Sequence, residues 1–212
     1  MAFLSPLRRF YLAAYNWVLF IGWFQVLYIC LRTLKDLGHE QVYHAVETSL
    51  QLAQTASALE IIHSLVGLVK SPVTITFPQI GSRLYLTWEI LWNFTEIQSN
   101  VFVTFLVLSW SLTEIVRHSF FAMKETFGST PFWLLWLRYS TFLLLQPTGI
   151  FSEIVILYYA LPLMKETCKR MLEKIHLYVL IMILAIYIPG GLFVHWHLHG
   201  QRKKALSKSK GD

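Results

Sequence analysis

Long apolar runs alternate with short polar connections along the whole chain. A helix that spans a membrane needs roughly 20 mainly apolar residues, and six runs approach that length. They cover residues 10–31, 51–69, 82–98, 101–121, 132–162 and 176–198. This pattern predicts an all-α fold, a polytopic membrane protein built as a bundle of about six transmembrane helices.

Some of these runs contain polar residues that lipid-facing helices avoid. Those in the second and third runs are Gln51, Gln54, Glu60, His63 and Glu89. Because polar and ionisable groups are costly in hydrocarbon, we expect these side chains to face other helices. Glu114 and Arg117 lie one turn apart in the fourth run, so we expect them to pair with each other.

The fifth run is too long for one straight span and contains Pro147 and Gly149. Proline removes a backbone hydrogen-bond donor and commonly kinks a helix, so we predict a break near Pro147. The same run contains Arg138 and Glu153. Ionisable residues inside a span usually belong to a functional site, so residues 138–153 are the first place to look for chemistry.

Composition agrees with a membrane protein. The 212 residues are 55% hydrophobic and only 14% charged, and 16% are aromatic, as expected when aromatic rings lie at two membrane interfaces. One helical domain over residues 1–212 accounts for the chain, with a basic tail over about 200–212. No basic face interleaved with aromatic rings stands out, so we do not expect nucleic acid as a partner.

The basic residues predict how the helices are oriented. In an arrangement of six helices both termini lie on one side, and that side receives eleven lysines and arginines against six on the other. The positive-inside rule then places both termini in the cytosol. Lys208 and Lys210 have the spacing from the C-terminus of a dilysine retrieval signal, which indicates the membrane of the endoplasmic reticulum.

The histidines do not form a convincing metal site. His195 and His199 have the His-x-x-x-His spacing of membrane di-iron enzymes, but such sites need several of these pairs. The two Glu-x-x-His pairs, at 60–63 and 173–176, have the ligand spacing of di-iron bundles but are expected at different depths. We therefore expect no metal.

Residues 63–70 have the outline of the tyrosine-phosphatase loop, His-Cys-x5-Arg. That chemistry needs a thiolate nucleophile and an arginine that binds phosphate through two nitrogens. Ser64 and Lys70 stand at those positions, which argues against phosphatase activity. The chain also lacks a glycine-rich phosphate loop, so acid–base chemistry by side chains within the bundle is the natural class.

Several separated pieces of the chain resemble one family. They lie at 15–17, 59–67, 78–83, 109–115, 136–140, 147–149, 152–153 and 200–210. The chain resembles the 3-hydroxyacyl-CoA dehydratases, also called protein-tyrosine-phosphatase-like, and is most like their plant PASTICCINO-type members. The resemblance implies an enzyme of the endoplasmic reticulum that dehydrates (3R)-3-hydroxyacyl-CoA to trans-2-enoyl-CoA in the third step of very-long-chain fatty-acid elongation. It implies a long-chain substrate, no cofactor, and other elongase subunits as partners.

The resemblance also implies a catalytic pair. The family pattern Tyr-Pro-x-Gly-x-x-x-Glu places a tyrosine seven residues before a glutamate. Glu153 matches the glutamate, whereas Gln146 stands at the tyrosine position. A glutamine amide forms hydrogen bonds but does not exchange a proton near neutral pH. Two functions therefore stay open: a working dehydratase with a modified site, and a catalytically impaired member that acts as a binding or regulatory subunit of the elongase.

Tyr139 is a candidate to replace the missing tyrosine. It precedes Gln146 by seven residues, near two helical turns, so both share a face with Glu153 unless a break rotates them apart. Other polar or small residues of the family pattern are present and are expected to bind substrate or support the site. They are Glu60, Gln79, Arg83, Arg138 and Gly149. The two arginines are suited to bind CoA phosphates or to pair with carboxylates.

Overall fold

The computed structural model describes residues 4–69, 71, 73–167, 178, 181 and 182. Its helices are α1 (Leu4–Asp36), α2 (Val42–Ser57), α3 (Leu59–Leu65), α4 (Val73–Tyr85), α5 (Thr95–Gln98), α6 (Val101–Phe127) and α7 (Phe132–Thr167). A 3-10 turn, His39–Gln41, precedes α2, and a π-helix, Leu86–Leu91, follows α4. No strand occurs among the described residues, which confirms the predicted all-α fold.

Three helices are long and apolar enough to cross a membrane. They are Pro6–Asp36, Val101–Phe127 and Phe132–Met164, with mean hydropathies of 1.6, 1.3 and 1.5. These helices contain the predicted spans 10–31, 101–121 and 132–162, which confirms a polytopic membrane protein. The predicted span at 176–198 lies almost entirely outside the described residues.

The predicted spans at 51–69 and 82–98 are not single helices. The first contains the end of α2 and all of α3, which meet at Ala58. The second contains the end of α4, the π-helix and α5. At the start of the π-helix, the Thr87 hydroxyl donates to the Arg83 carbonyl over 2.8 Å. π-helices are frequent at functional sites, and this one directly follows the segment that carries Arg83.

The structure corrects the predicted break near Pro147, because α7 continues through this residue to Thr167. Proline costs the helix one backbone hydrogen bond. A full break in a membrane span exposes more backbone polar groups to hydrocarbon. Two hydroxyls flank the site: Thr148 donates to the Leu144 carbonyl over 2.7 Å, and Ser152 donates to the Thr148 carbonyl over 2.8 Å.

One apolar core connects α1, α2, α6 and α7. Its largest fully buried side chains include Trp23 of α1, Tyr43 of α2, Trp110 of α6 and Ile156 of α7. Helix α6 packs against both α1 and α7, and its buried polar side chains, which include Ser109, Ser111, Glu114 and His118, face protein rather than lipid. The assignment of residues 1–212 to one domain stays a prediction.

Candidate functional site

Four alternating charges link α3, α4 and α6, and we call them the ion-pair chain: Arg83, Glu114, Arg117 and Glu60. Arg117 donates from Nη1 and Nη2 to the two carboxylate oxygens of Glu60 over 2.6 and 2.7 Å. It also donates from Nε to Glu114 over 2.7 Å, which confirms the predicted local pair. Glu114 accepts a further hydrogen bond from Arg83 of α4. The formal charges of the four groups cancel, as the burial of ionised groups requires.

His118 extends this network to α1. Its side chain is fully buried, and Nδ1 lies 3.0 Å from Oδ1 of Asn16. Nε2 lies 3.3 Å from a carboxylate oxygen of Glu114. The amide nitrogen of Asn16 donates in turn to the Leu12 carbonyl over 2.7 Å. Helix α1 is therefore tied to the charged residues of α6 by a buried polar path.

A cavity of about 570 Å³ lies beside the ion-pair chain. The predicted site residues that line it are Glu60, Gln79, Arg83 and Arg138. Those that do not line it are Tyr139, Gln146, Gly149 and Glu153. The predicted site is thus divided between a cavity and the part of α7 beyond Arg138.

Basic side chains outnumber carboxylates around this cavity. The basic ones are Arg8, Arg83, Arg117, Lys124 and Arg138, and the acidic ones are Glu60, Glu114 and Glu125. Fields of one sign in a low-dielectric cleft attract ligands of the opposite charge. The cavity is therefore suited to an anion.

Arg138 lines this cavity, and its charged group is available to bind a ligand. Its Cζ lies 4.4 Å from the ring centre of Phe120 and 4.5 Å from that of Phe121. Its Nη1 is buried and has no hydrogen-bond partner in the part of the chain that the structure describes. Arg83 and Arg117, by contrast, are paired with carboxylates. Arginine fits phosphate and carboxylate groups through two parallel hydrogen bonds.

Glu153 is buried on α7, with 5% of its surface exposed. Its Oε1 accepts a hydrogen bond from the indole Nε1 of Trp110 over 2.7 Å. On the cavity side, the Cζ of Arg83 lies 5.2 Å from the Trp110 ring centre, within range of a cation–π contact. Trp110 therefore connects the cavity to the carboxylate. Nothing in its sequence position indicates this role, because tryptophan in membrane helices is usually an interfacial anchor.

The continuous α7 fixes the spacing of the predicted catalytic residues. Gln146 and Glu153 are two turns apart on one face, about 10 Å along the axis at 1.5 Å per residue. Tyr139 lies about 21 Å from Glu153 on the same scale. That separation is too long for the two side chains to exchange a proton directly, which favours a packing role for Tyr139. A Cβ placed on Gly149 lies 3.5 Å from the Cβ of Ser109, so glycine allows α6 and α7 to approach closely here.

The phosphatase-like segment begins on α3. The His63 imidazole Nε2 lies 2.8 Å from the Tyr11 hydroxyl, and the Ser64 hydroxyl lies 3.1 Å from that of Ser71. The serine and the histidine are therefore engaged with different partners. This geometry gives no activated nucleophile at Ser64.

A family model described as "Protein tyrosine phosphatase-like protein, PTPLA" matches residues 54–208. The chain belongs to this family. The match covers α3, α4, α6 and α7, so it includes the ion-pair chain, Trp110 and Glu153.

Relatives within the PTPLA family match nearly the full chain. "Very-long-chain (3R)-3-hydroxyacyl-CoA dehydratase PASTICCINO 2B" of Oryza sativa subsp. japonica is 58% identical, over 97% of this chain and 97% of its own length. The PASTICCINO 2 protein of Arabidopsis thaliana is 56% identical, over 98% of both chains. "Very-long-chain (3R)-3-hydroxyacyl-CoA dehydratase 2" of Homo sapiens is 32% identical, over 97% of this chain and 84% of its own. No solved structure matches the chain significantly. The predicted resemblance is confirmed, whereas the roles of individual site residues stay predictions.

Proposed function

We propose that this chain is a (3R)-3-hydroxyacyl-CoA dehydratase, a hydro-lyase that forms trans-2-enoyl-CoA during very-long-chain fatty-acid elongation. The observation that carries the proposal is 56–58% identity, over nearly the full length, to three plant proteins named for that activity. The buried carboxyl group of Glu153 adds a side chain able to transfer protons. The reaction is redox-neutral, and the proposal includes no cofactor.

Glu153 carries the proton in the proposed mechanism. Its carboxylate removes a proton from C2 of the acyl chain, and the C3–O bond breaks as the C2–C3 double bond forms. The resulting carboxylic acid gives its proton to the departing hydroxyl, which leaves as water, so Glu153 returns to the carboxylate. The Trp110 indole holds Oε1, the oxygen that it binds over 2.7 Å. Gln146 donates its amide hydrogen to the thioester carbonyl oxygen, where negative charge develops.

The substrate lies with its charged end in the cavity and its reacting end near Trp110 and Glu153. Arg138 binds a CoA phosphate, since its Nη1 has no partner among the described residues. Arg138 and Glu153 are 15 residues apart on α7, about 22 Å along the axis. The extended pantetheine arm of CoA is the part of the substrate that bridges these two positions.

Replacing Arg138 is expected to weaken the binding of acyl-CoA. The whole loss should come from the contact between Arg138 and the CoA phosphates. Arg138→Met should lower the affinity for a long-chain acyl-CoA by about 10- to 100-fold, because a charge-assisted pair is lost. The same acyl chain attached to pantetheine, which has no phosphate, should bind the variant and the wild type equally. Dissociation constants measured in one detergent test this, with Arg32→Met as the control distant from the cavity. Equal losses for both ligands would show that Arg138 supports the fold instead.

The proposed location is the membrane of the endoplasmic reticulum, with both termini in the cytosol. The excess of basic residues on the terminal side supports this orientation. The end of the cavity that is lined by the exposed side chains of Arg8 and Lys124 then faces the cytosol, where a water-soluble CoA group enters. Other subunits of the elongase are the proposed protein partners.

Purified wild-type protein is expected to convert a long-chain (3R)-3-hydroxyacyl-CoA to the trans-2-enoyl-CoA. Gln146→Tyr should raise the rate constant for turnover by about 10-fold or more, because a phenol takes part in proton transfer and an amide does not. Chromatography of the enoyl product, with Gln146→Leu as the matched control, measures both effects. An inactive wild type whose turnover appears only in Gln146→Tyr would instead assign the chain a binding or regulatory role in the elongase.

A further inference from the structure

Gln54 of α2 has an unsatisfied acceptor at the cavity. The residue is 1% exposed and lines the cavity. Its Oε1 is buried and has no hydrogen-bond partner among the described residues. A buried acceptor without a partner costs free energy, and leucine fills a similar volume without that cost. An acceptor in this place therefore points to a hydrogen-bond donor on the ligand.

The depth of Gln54 follows from the packing of α1 against α6. These helices are antiparallel, since Arg9 bonds the Glu125 carbonyl whereas Asn16 bonds His118. Gly22 lies six residues beyond Asn16, about 9 Å further along α1. In the antiparallel register that position faces the part of α6 near residue 112, two residues from Trp110.

Gln54 lies at about the same depth in the helix bundle as Gly22. A Cβ placed on Gly22 lies 4.0 Å from the Cβ of Ala53, the residue before Gln54. Gln54 therefore lies within about one helical turn, in depth, of Trp110, whose indole binds the proposed catalytic carboxylate of Glu153. Arg138 lies at a different level, beside Phe120. The donor that Gln54 meets is therefore at the reacting end of the substrate rather than at its phosphates.

We infer that Oε1 of Gln54 accepts a hydrogen bond from the 3-hydroxyl group of the substrate, an inference that rests on the proposed function. This hydroxyl is the donor that the acyl chain carries next to the reacting carbons, since the thioester carbonyl only accepts. With its hydrogen directed at Gln54, the hydroxyl oxygen keeps its lone pairs available for the proton from Glu153. The enoyl product lacks the hydroxyl, so Gln54 favours substrate over product.

Two unreactive ligands test the inference without turnover. The first is a long-chain 2,2-difluoro-3-hydroxyacyl-CoA with the configuration of the substrate at C3, and the second is the same compound without the hydroxyl. Neither can lose a proton from C2. Wild type is expected to bind the hydroxylated ligand about 10-fold more tightly, the size of one hydrogen bond. Gln54→Leu should abolish this preference and leave the affinity for the second ligand within about twofold.

Gln51→Leu is the matched control. Gln51 also lies on α2 and also has a buried, unpartnered amide atom in the described part of the chain, but it does not line the cavity. This variant should keep the preference for the hydroxylated ligand. Equal weakening of both ligands by Gln54→Leu, or no change in either, would overturn the inference. A wild type that shows the preference but no turnover would overturn the proposed function and leave the recognition of the hydroxyl standing.

Discussion

Replacing Glu153 with glutamine is expected to lower the rate of dehydration by about 100- to 10,000-fold, the range for loss of a general acid–base group. The amide has nearly the same shape, and its oxygen can still accept the Trp110 N–H bond seen at 2.7 Å. It cannot take a proton from C2 or return one to the hydroxyl. Initial rates of enoyl-CoA formation at saturating substrate measure the loss in kcat.

Two comparisons distinguish a loss of catalysis in Glu153→Gln from a loss of the folded structure. The variant should bind an unreactive acyl-CoA as wild type does and unfold within a few degrees of the wild-type temperature. Glu89→Gln, which changes a partly buried glutamate of the π-helix that does not line the cavity, should keep wild-type kcat. Full activity in Glu153→Gln would remove Glu153 from the mechanism.

Arg117→Met is expected to produce the largest loss of stability. Arg117 binds the carboxylates of both Glu60 and Glu114, and its removal leaves the ion-pair chain with one excess negative charge. Breaking a buried ion pair by removing one partner typically costs about 3–5 kcal/mol, because the remaining charge stays desolvated. Denaturant unfolding in a fixed detergent, followed by tryptophan fluorescence, measures the change in the free energy of unfolding.

A second substitution tests whether charge balance is the cause. Arg117→Met combined with Glu60→Gln leaves Arg83 and Glu114 as a neutral pair, so the double variant should be more stable than Arg117→Met alone. Arg32→Met removes an exposed pair, whose Arg32 and Asp36 side chains are 70% and 55% exposed, and should cost less than about 1 kcal/mol. A double variant no more stable than the single one would contradict the electrostatic explanation.

The sequence alone predicts the helices that consist of one long apolar run. The apolar runs within α1, α6 and α7 are long, and hydrophobicity alone predicts each of them. The π-helix at Leu86–Leu91 and the junction at Ala58 contain no glycine or proline, so nothing in the local sequence marks them. They depend on packing between helices, such as the 3.1 Å hydrogen bond from the indole of Trp88 to the Thr55 hydroxyl.

The site was predictable only where its contacts are local. Glu114 and Arg117 are three residues apart on one helix, and spacing alone predicts their pair. The partners Glu60 and Arg83 are 57 and 31 residues away from the α6 residues they bind, so their contacts depend on how whole helices pack. Gln54 is 1% exposed, which agrees with the expectation that an amide in this run faces protein rather than lipid. That its Oε1 has no hydrogen-bond partner within the described part of the chain and lies at a cavity depends on the packing of several helices, which the sequence does not reveal.

During synthesis, Glu60 and Arg83 are made before α6 exists. An isolated helix that carries a single unpaired charge is costly to place in hydrocarbon. Glu114 and Arg117 cancel these charges when α6 is translated, and the polar segments of α3 and α4 then become compatible with the bilayer interior. The ion-pair chain therefore makes the burial of α3 and α4 depend on α6: a nascent chain that ends before residue 101 contains Glu60 and Arg83 but neither Glu114 nor Arg117, the residues that bind them in the folded protein.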